Sequence, residues 1–306
     1  MTLNNADMMK LNKLTLKDKK IFDAFLSQRP HELSCYCFQN IYIWSRLYDI
    51  FWVKIQGALC VFFKDNIGCF MYLEPLGENI TPEITAEAFE IMDSFNENSE
   101  ISRIENIEDK QFYFYQDLGL KLAPKPGEYL CKREDLAQLK GNAFKSKRAS
   151  YNYFVKHYKY EYLPYGRQQK QDCLKLYRRW VKERKANNQD KMYQGMLEDG
   201  RTCLEIILSN CTKLGFIGRV VRVKKDIIAF TFGFKLNEEA FCISHEVAQL
   251  KYKGIAQFIF REFCREVKDY KYINIMDDSG LENLKKVKLS YRPLRTIAAY
   301  VGTRTK

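Results

Sequence analysis

The stretch from Ala240 to Ser290 concentrates residue types that can do chemistry. A strand-like run ends near Ala248, and Lys251-Tyr252-Lys253-Gly254-Ile255-Ala256 leads from it into an amphipathic helix. A strand entering a helix through a glycine turn aims backbone N–H groups at whatever sits at the helix N-terminus, where the dipole favours phosphate. Lys251 and Lys253 add charge there. The alternative is that Gly254 only lets the turn form and the lysines are solvated. Further on, Lys285 and Lys288 stand three apart and share one helical face, turned to a phosphate, to Asp277 or to water. Upstream, Lys145, Lys147 and Arg148 are interleaved with Tyr151, Tyr153 and Phe154. That mixture suits phosphate contacts and base stacking, and equally an ordinary helix with a solvated basic face.

The elements that must position these residues can be read from periodicity. Leu14 to Ser27 and Thr81 to Asn96 have helical spacing; Thr81 can cap the second, with Pro82 at its first position and Glu83 in its first turn. Between them lies a short aromatic-rich element, Asn40 to Tyr48. Ile50 to Gln56, Ala58 to Lys64 and Gly68 to Glu74 then read as an antiparallel meander. Ile101 to Ile107 is a strand candidate and Asp109 to Leu118 a helix candidate. Glu134 to Tyr158 reads as one or two helices, and Tyr160 to Pro164 as a short strand. Gln168 to Lys185 and Asp190 to Ser209 are helices. Phe216 to Val223, Asp226 to Lys235 and Glu239 to Ala248 are strands. Gly254 to Lys268 is a helix with Ile255, Phe258, Ile259, Phe263 and Val267 on one side. Tyr272 to Met276 is a strand, Leu281 to Leu289 a helix and Thr296 to Val301 a last strand. The order from 160 onward repeats, more clearly, the order of the front half. Two similar α+β domains follow from that pattern.

Charge divides the chain in the same way. Residues 1 to 120 carry 11 basic and 18 acidic side chains, while residues 121 to 306 carry 39 and 20, within an overall net charge of +12. An acidic front and a strongly basic back imply two functional regions and an anionic partner for the second. Apolar content of 46% with 20 Tyr and 21 Phe supports packed cores and excludes a disordered chain. The longest apolar-looking stretch, Ile41 to Phe63, is interrupted by Arg46, Asp49 and Lys54, which excludes a membrane span there. The first twenty residues lack the apolar core of a signal peptide, and a cytoplasmic location is expected. Ten cysteines are scattered without a CxxC pair, beside only three histidines, so buried reduced thiols are expected and no metal site.

Two resemblances add to this reading. Lys251-x-x-Gly254-x-Ala256 between a strand and a helix resembles the Q/R-x-x-G-x-G/A pyrophosphate loop of the GNAT acyltransferase superfamily, with Lys251 at the Gln/Arg position. The stretch from Tyr272 to Pro293 is similar to the DUF2156 family, the catalytic-domain family of the phosphatidylglycerol lysyltransferases. That family's pattern is roughly N-x-E-x-D-x-G-x-x-x-L-R/K-x-x-K-x-S-Y-x-P. Asn274, Asp278, Gly280, Leu284, Lys285, Lys288, Ser290, Tyr291 and Pro293 match it; Met276 replaces its Glu. Ser146 to Tyr158 resembles the family's K-R-N-x-I-N-x-F-x-x-x-Y stretch, and Glu128-Tyr129-Leu130 the strand before it. His245-Glu246-Val247-Ala248 resembles H-x-E-K-A, with Val247 in place of Lys.

The resemblance implies two tandem GNAT-like domains, each a mostly antiparallel mixed sheet flanked by helices, expected at 1–130 and 131–306. It also implies transfer of an aminoacyl or acyl group to an amine or hydroxyl. Such transfer needs both partners positioned, a proton accepted and an oxyanion stabilised. Glu246 and Asp277 would lie at the ends of neighbouring strands, where either could hold a substrate ammonium or act as base. The alternative for Asp277 and Asp278 is to cap the helix starting near Leu281. Tyr291 could donate a proton or be a positioning aromatic, and His245 could be a base or a structural residue. Lys251, Lys253, Gly254, Ala256, Asn274, Asp278, Lys285 and Lys288, with Lys145, Lys147 and Arg148, would contact the donor. No tightly bound cofactor is expected; the co-substrate would be aminoacyl-tRNA or acyl-coenzyme A. Two alternatives stay open: a coenzyme A-dependent N-acetyltransferase, and a non-catalytic nucleic-acid or anion binder on the same scaffold.

Overall fold

The computed structural model describes residues 11–304, so the part of the leader reading that rests on residues 1–10 lies outside the described residues. The chain forms two compact units, one from residues up to 128 together with 297 onward, the other from 129 to 296.

The first unit is built on a seven-stranded sheet. Its strands are β1 (Asn12–Lys13), β2 (Asp49–Ile55), β3 (Ala58–Lys64), β4 (Cys69–Met71), β5 (Arg103–Glu108), β6 (Leu120–Pro124) and the C-terminal strand Ala299–Arg304. β2, β3 and β4 form the expected antiparallel meander, and β4 then pairs parallel with β5. Helices α1 (Lys19–Leu26), α2 (Phe38–Tyr42), α3 (Pro82–Phe95) and α4 (Phe112–Asp117) accompany the sheet. α3 starts as its sequence predicts: the Thr81 hydroxyl accepts the Ile84 N–H, Pro82 takes the first position and Glu83 the first turn.

The second unit has its own seven-stranded sheet. It contains β7 (Glu128–Lys132), β8 (Glu161–Pro164), β9 (Ile217–Val223), β10 (Asp226–Lys235), β11 (Ala240–Ala248), β12 (Tyr272–Asn274) and β13 (Arg295–Ile297), in the spatial order β13-β7-β12-β11-β10-β9-β8. The run β8 to β11 is an antiparallel meander, and β11 pairs parallel with β12. That parallel step needs a crossover, which α9 (Ile255–Glu266) supplies. Its apolar face, with Phe258, Ile259 and Phe263 fully buried, explains why the sequence spacing was so regular. The remaining helices are α5 (Arg133–Gln138), α6 (Lys145–His157), α7 (Lys170–Asn187), α8 (Lys191–Leu214) and α10 (Glu282–Leu289). The stretch Glu134 to Tyr158 is thus two helices. It breaks where Leu139 takes a left-handed conformation (φ +54°) and Gly141 follows at φ +79°.

The last strand departs from the expected division. Local pattern alone groups Thr296 to Val301 with the preceding unit. Instead, Ala299–Arg304 lies between β5 and β6, antiparallel to both, and completes the first unit's sheet. A β-propensity pattern states that a segment is a strand, not which sheet edge awaits it. Strand β6 was also unmarked in the sequence, because Leu120–Pro124 has one apolar residue buried and the rest exposed or half-exposed.

All ten cysteines are free thiols and nine are buried, as expected of small apolar residues in a core. Burial raises the pKa of thiols such as Cys35, Cys131 and Cys264, which keeps them protonated. Among the described residues no helix is long and apolar enough to cross a membrane.

Candidate functional site

Glu246 sits where the sheet of the second unit departs from regular alternation. Along β11, Phe241 and Ile243 pack into the core beneath α9 with Phe260 and Phe263. Regular alternation would put Glu246 on the opposite face. The pairing with β10 slips between Phe232, opposite His245, and Gly233, opposite Ile243, so one residue is extra on β11. After this bulge the even-numbered residues face α9: Ala248 packs with Ile255, Phe258 and Ile259, and Glu246 faces the same side. His245 is thereby turned to the other face from Glu246. Burial pulls its pKa down to about 4, and its Nδ1 lies 3.1 Å from the Ser244 hydroxyl. It is a neutral imidazole at physiological pH, with no hydrogen bond to Glu246.

The surroundings of Glu246 are apolar apart from a few groups. Burial pushes its carboxyl pKa up to about 8. Thr231, directly opposite in the register and fully buried, pulls the other way. The two do not form a hydrogen bond of good geometry: Glu246 Oε2 and Thr231 Oγ1 are both buried without a partner among the described residues. The phenol of Tyr291 is also raised, first by burial and then by the charge of Glu246, with Cys264 and Cys131 adding to it. Tyr291 packs against Phe260 at 4.5 Å between ring centroids, and the ammonium of Lys147 lies 4.2 Å from the Tyr291 ring centroid. Partial burial lowers the pKa of Lys147. The fold therefore gathers Glu246, Thr231, Tyr291 and Lys147 from β11, β10, the segment after α10, and α6. The arrangement offers a proton-accepting carboxyl poised near neutral pH, a hydroxyl and a phenol.

A second group organises the turn after β12. Asn274 Oδ1 accepts the Met276 N–H at 2.7 Å, Asp277 Oδ1 the Ser279 N–H at 2.6 Å, and Asp278 Oδ1 the Gly280 N–H at 2.9 Å. Asp278 Oδ2 accepts the Tyr129 hydroxyl at 2.5 Å, and the Tyr129 pKa rises to about 12 through burial and this bond. Lys288 reaches back and donates to the carbonyls of Ile275 and Asp277. These bonds hold Met276 and Ser279 at positive φ, +58° and +52°. The two aspartates do not cap α10: its N-cap, Leu281, makes no side-chain cap bond. Lys285 does not pair with Asp277 either, but lies 3.7 Å from Glu282 on the exposed side of α10.

The glycine turn is packed from within. Gly254 has φ +88°, and a Cβ there would run into the carbonyl oxygen of Ser150 on α6. Its lack of a side chain is thus required by helix–turn packing. Lys251 and Lys253 spread over the rings of Tyr252 and Tyr153, and Ala256 packs at the edge of the α9 core. The three cations in the first turn of α6 have separate roles. Lys145 is exposed, Lys147 covers Tyr291, and Arg148 donates to the carbonyls of Leu139 and Gly141 at the end of α5. Thr231 was not singled out from sequence, although a lone hydroxyl inside Ile227-Ile-Ala-Phe-Thr-Phe was a usable signal.

The sequence signature described as phosphatidylglycerol lysyltransferase, C-terminal, matches residues 27–302. The chain belongs to this family. As a member of the phosphatidylglycerol lysyltransferase C-terminal family, it is similar to three solved structures. The crystal structure of a conserved protein of unknown function from Bacteroides thetaiotaomicron is 27% identical, with a TM-score of 0.85 over 96% of this chain and 99% of that one. L-PGS from Bacillus licheniformis is 18% identical, with a TM-score of 0.65 over 94% and 92%. A tandem GNAT protein from the clavulanic acid biosynthesis pathway is 9% identical, with a TM-score of 0.50 over 95% and 97%. No curated protein matches the sequence. The α+β fold of tandem GNAT-like units agrees with the expectation from sequence. The family and its neighbours support an aminoacyl or acyl transferase in general terms.

Proposed function

We propose that the protein moves an activated aminoacyl group, carried on tRNA, onto an amine or hydroxyl acceptor, with Glu246 as the proton acceptor. The observation that carries this reading is the Glu246 carboxyl, held beneath α9 by the β11 bulge with one oxygen unpartnered and a pKa of about 8. A group so placed takes a proton from an attacking amine or hydroxyl as that nucleophile adds to the ester carbonyl. It returns the proton to the departing ribose oxygen, which becomes a hydroxyl as the ester C–O bond breaks. Tyr291 and Thr231 flank it and position the reacting groups. Asn274, Asp277, Asp278 and Lys288 hold the adjoining turn rigid, which is the support such a site needs. Family membership supports the chemistry. The second unit carries 35 basic and 19 acidic side chains, a net of +16, which suits a polyanionic donor.

An acyl-coenzyme A donor is the second reading, favoured by the strand–glycine–helix turn at Lys251 to Ala256. The glycine there already has a packing role against Ser150, which removes the need for a ligand to explain it. The deciding experiment supplies the protein with bulk tRNA carrying labelled amino acids, or with labelled acetyl-coenzyme A, together with a panel of amines and hydroxylated small molecules and lipids. Label leaving the tRNA for an acceptor, and lost in Glu246→Gln, is the expected result. Label leaving only acetyl-coenzyme A would replace the first reading by the second.

A further inference from the structure

We infer that a basic cleft formed by α5 and α9 of the second unit binds the phosphate groups of a nucleic acid. The cleft measures about 390 Å³ and is lined by Arg133, Ala137, Gln138, Lys140, Arg261 and Arg265. Four of its six lining residues are cations and none is an acid. Phosphate is the anion that two or more guanidinium groups hold best, through forked N–H···O pairs.

What distinguishes these cations from ordinary surface charge is how two of them are fixed. Arg133 donates to the carbonyls of Tyr270 and Cys264, at 3.1 and 3.4 Å. Arg261 donates to the carbonyls of Ala137 and Gln138, at 2.9 and 3.0 Å, and its guanidinium lies 4.3 Å from the Tyr151 ring centroid. Both are half-buried and both are oriented by neutral partners, so their charge is positioned without being cancelled by a carboxylate. The C-terminal dipole of the short α5 offsets part of this charge, on the order of half a unit. Lys140 and Arg265 are exposed beside them. Of the acids on these two helices, Glu134 accepts from Gln138, and Glu262 accepts from Tyr151 and Arg265. The cleft thus combines a fixed inner pair of guanidiniums with two exposed outer cations, of which Arg265 is paired with Glu262. It is an arrangement for a chain of phosphates passing over a fixed point, and it lies outside both the glycine turn and the Glu246 group.

This inference rests on the tRNA reading for its choice of ligand, but its test does not require transfer. Binding of uncharged bulk tRNA is measured against salt concentration for the wild-type protein, for the double variant Lys140→Glu/Arg265→Glu, and for Lys17→Glu/Lys20→Glu, which makes the same charge change on exposed lysines of the first unit. The cleft variant is expected to bind at least about tenfold more weakly, with the slope of log affinity against log salt reduced by about 2. The control is expected to stay within about threefold of wild type. Equal losses in the two variants, or none in either, overturn the cleft. Cleft-dependent binding of acetyl-coenzyme A with unchanged tRNA binding also overturns it. Cleft-dependent tRNA binding without any transfer from charged tRNA supports the cleft while removing the proposed function. Aminoacyl transfer that proceeds unchanged in the cleft variant overturns the cleft while leaving that function in place.

Discussion

Glu246 and Thr231 stand directly opposite one another on paired strands, each with a buried oxygen that finds no partner among the described residues. Such a pair is costly to bury, because each unsatisfied polar group loses its bonds to water. A fold retains it where the groups serve a bound molecule. Glu246→Gln is therefore expected to lower transfer by about a hundredfold or more, as loss of a general base does. Wild-type rate should climb as pH rises toward and past 8, while the residual rate of the variant should lack that rise. A pH–rate profile of both proteins checks this.

The same carboxyl makes stability depend on pH with a definite sign. Its ordinary pKa is 4.5 and its folded value about 8. Between those values the unfolded chain releases the proton that the folded protein keeps, so stability is full below about 4.5 and falls as pH rises toward 8. Glu74 in the first unit has the same sign. It is also raised to about 8 by burial, despite the Arg29 guanidinium at 2.7 Å. Thermal melts at pH 5 and pH 9 should show a smaller loss in Glu246→Gln than in wild type, by a few kcal/mol on the order set by the shift.

Gly254→Ala is expected to destabilise the second unit by about 1–3 kcal/mol, since its φ of +88° disfavours any side chain and the Ser150 carbonyl leaves no room for one. Thermal denaturation in the absence of any ligand measures it. A loss of coenzyme A binding with unchanged melting would mean the glycine serves a ligand instead.

Arg148→Ala and Lys145→Ala, neighbours on one helix, should part company. Arg148 satisfies two carbonyls at the end of α5, so its loss is expected to cost about 1–3 kcal/mol. Lys145 is exposed, and its loss should stay within about 0.5 kcal/mol. Denaturant titration of the two single variants gives both numbers.

Much of this architecture was legible in the residues. The spacing of α9, the capping of α3 and the meanders of both units follow from periodicity and turn chemistry, which are local properties. The candidate site was legible in part. Tyr291 lies near enough to Glu246 for its phenol to feel the carboxylate charge. Asn274, Asp277, Asp278 and Lys288 bond to the backbone of their own turn, and Asp278 also to the Tyr129 hydroxyl. Two things were hidden for the same physical reason. The β11 bulge that turns Glu246 toward α9 depends on how β10 registers against it. The cleft depends on Arg133 and Arg261, 128 residues apart in sequence, being oriented by carbonyls they meet only after folding. Periodicity describes one segment at a time, whereas register and cation placement are decided between segments.

The C-terminal strand of the first sheet gives the chain a fixed order of assembly. Residues 129 to 296 are contiguous, so the second unit can complete itself as soon as they have been synthesised. The first unit, begun earlier, must wait with the edges of β5 and β6 open until Ala299–Arg304 emerges and fills the space between them. During that interval two unpaired strand edges are exposed to other chains. Removal of Ala299–Arg304 would leave that gap permanent. It would compromise the half of the protein farthest from the cut in sequence.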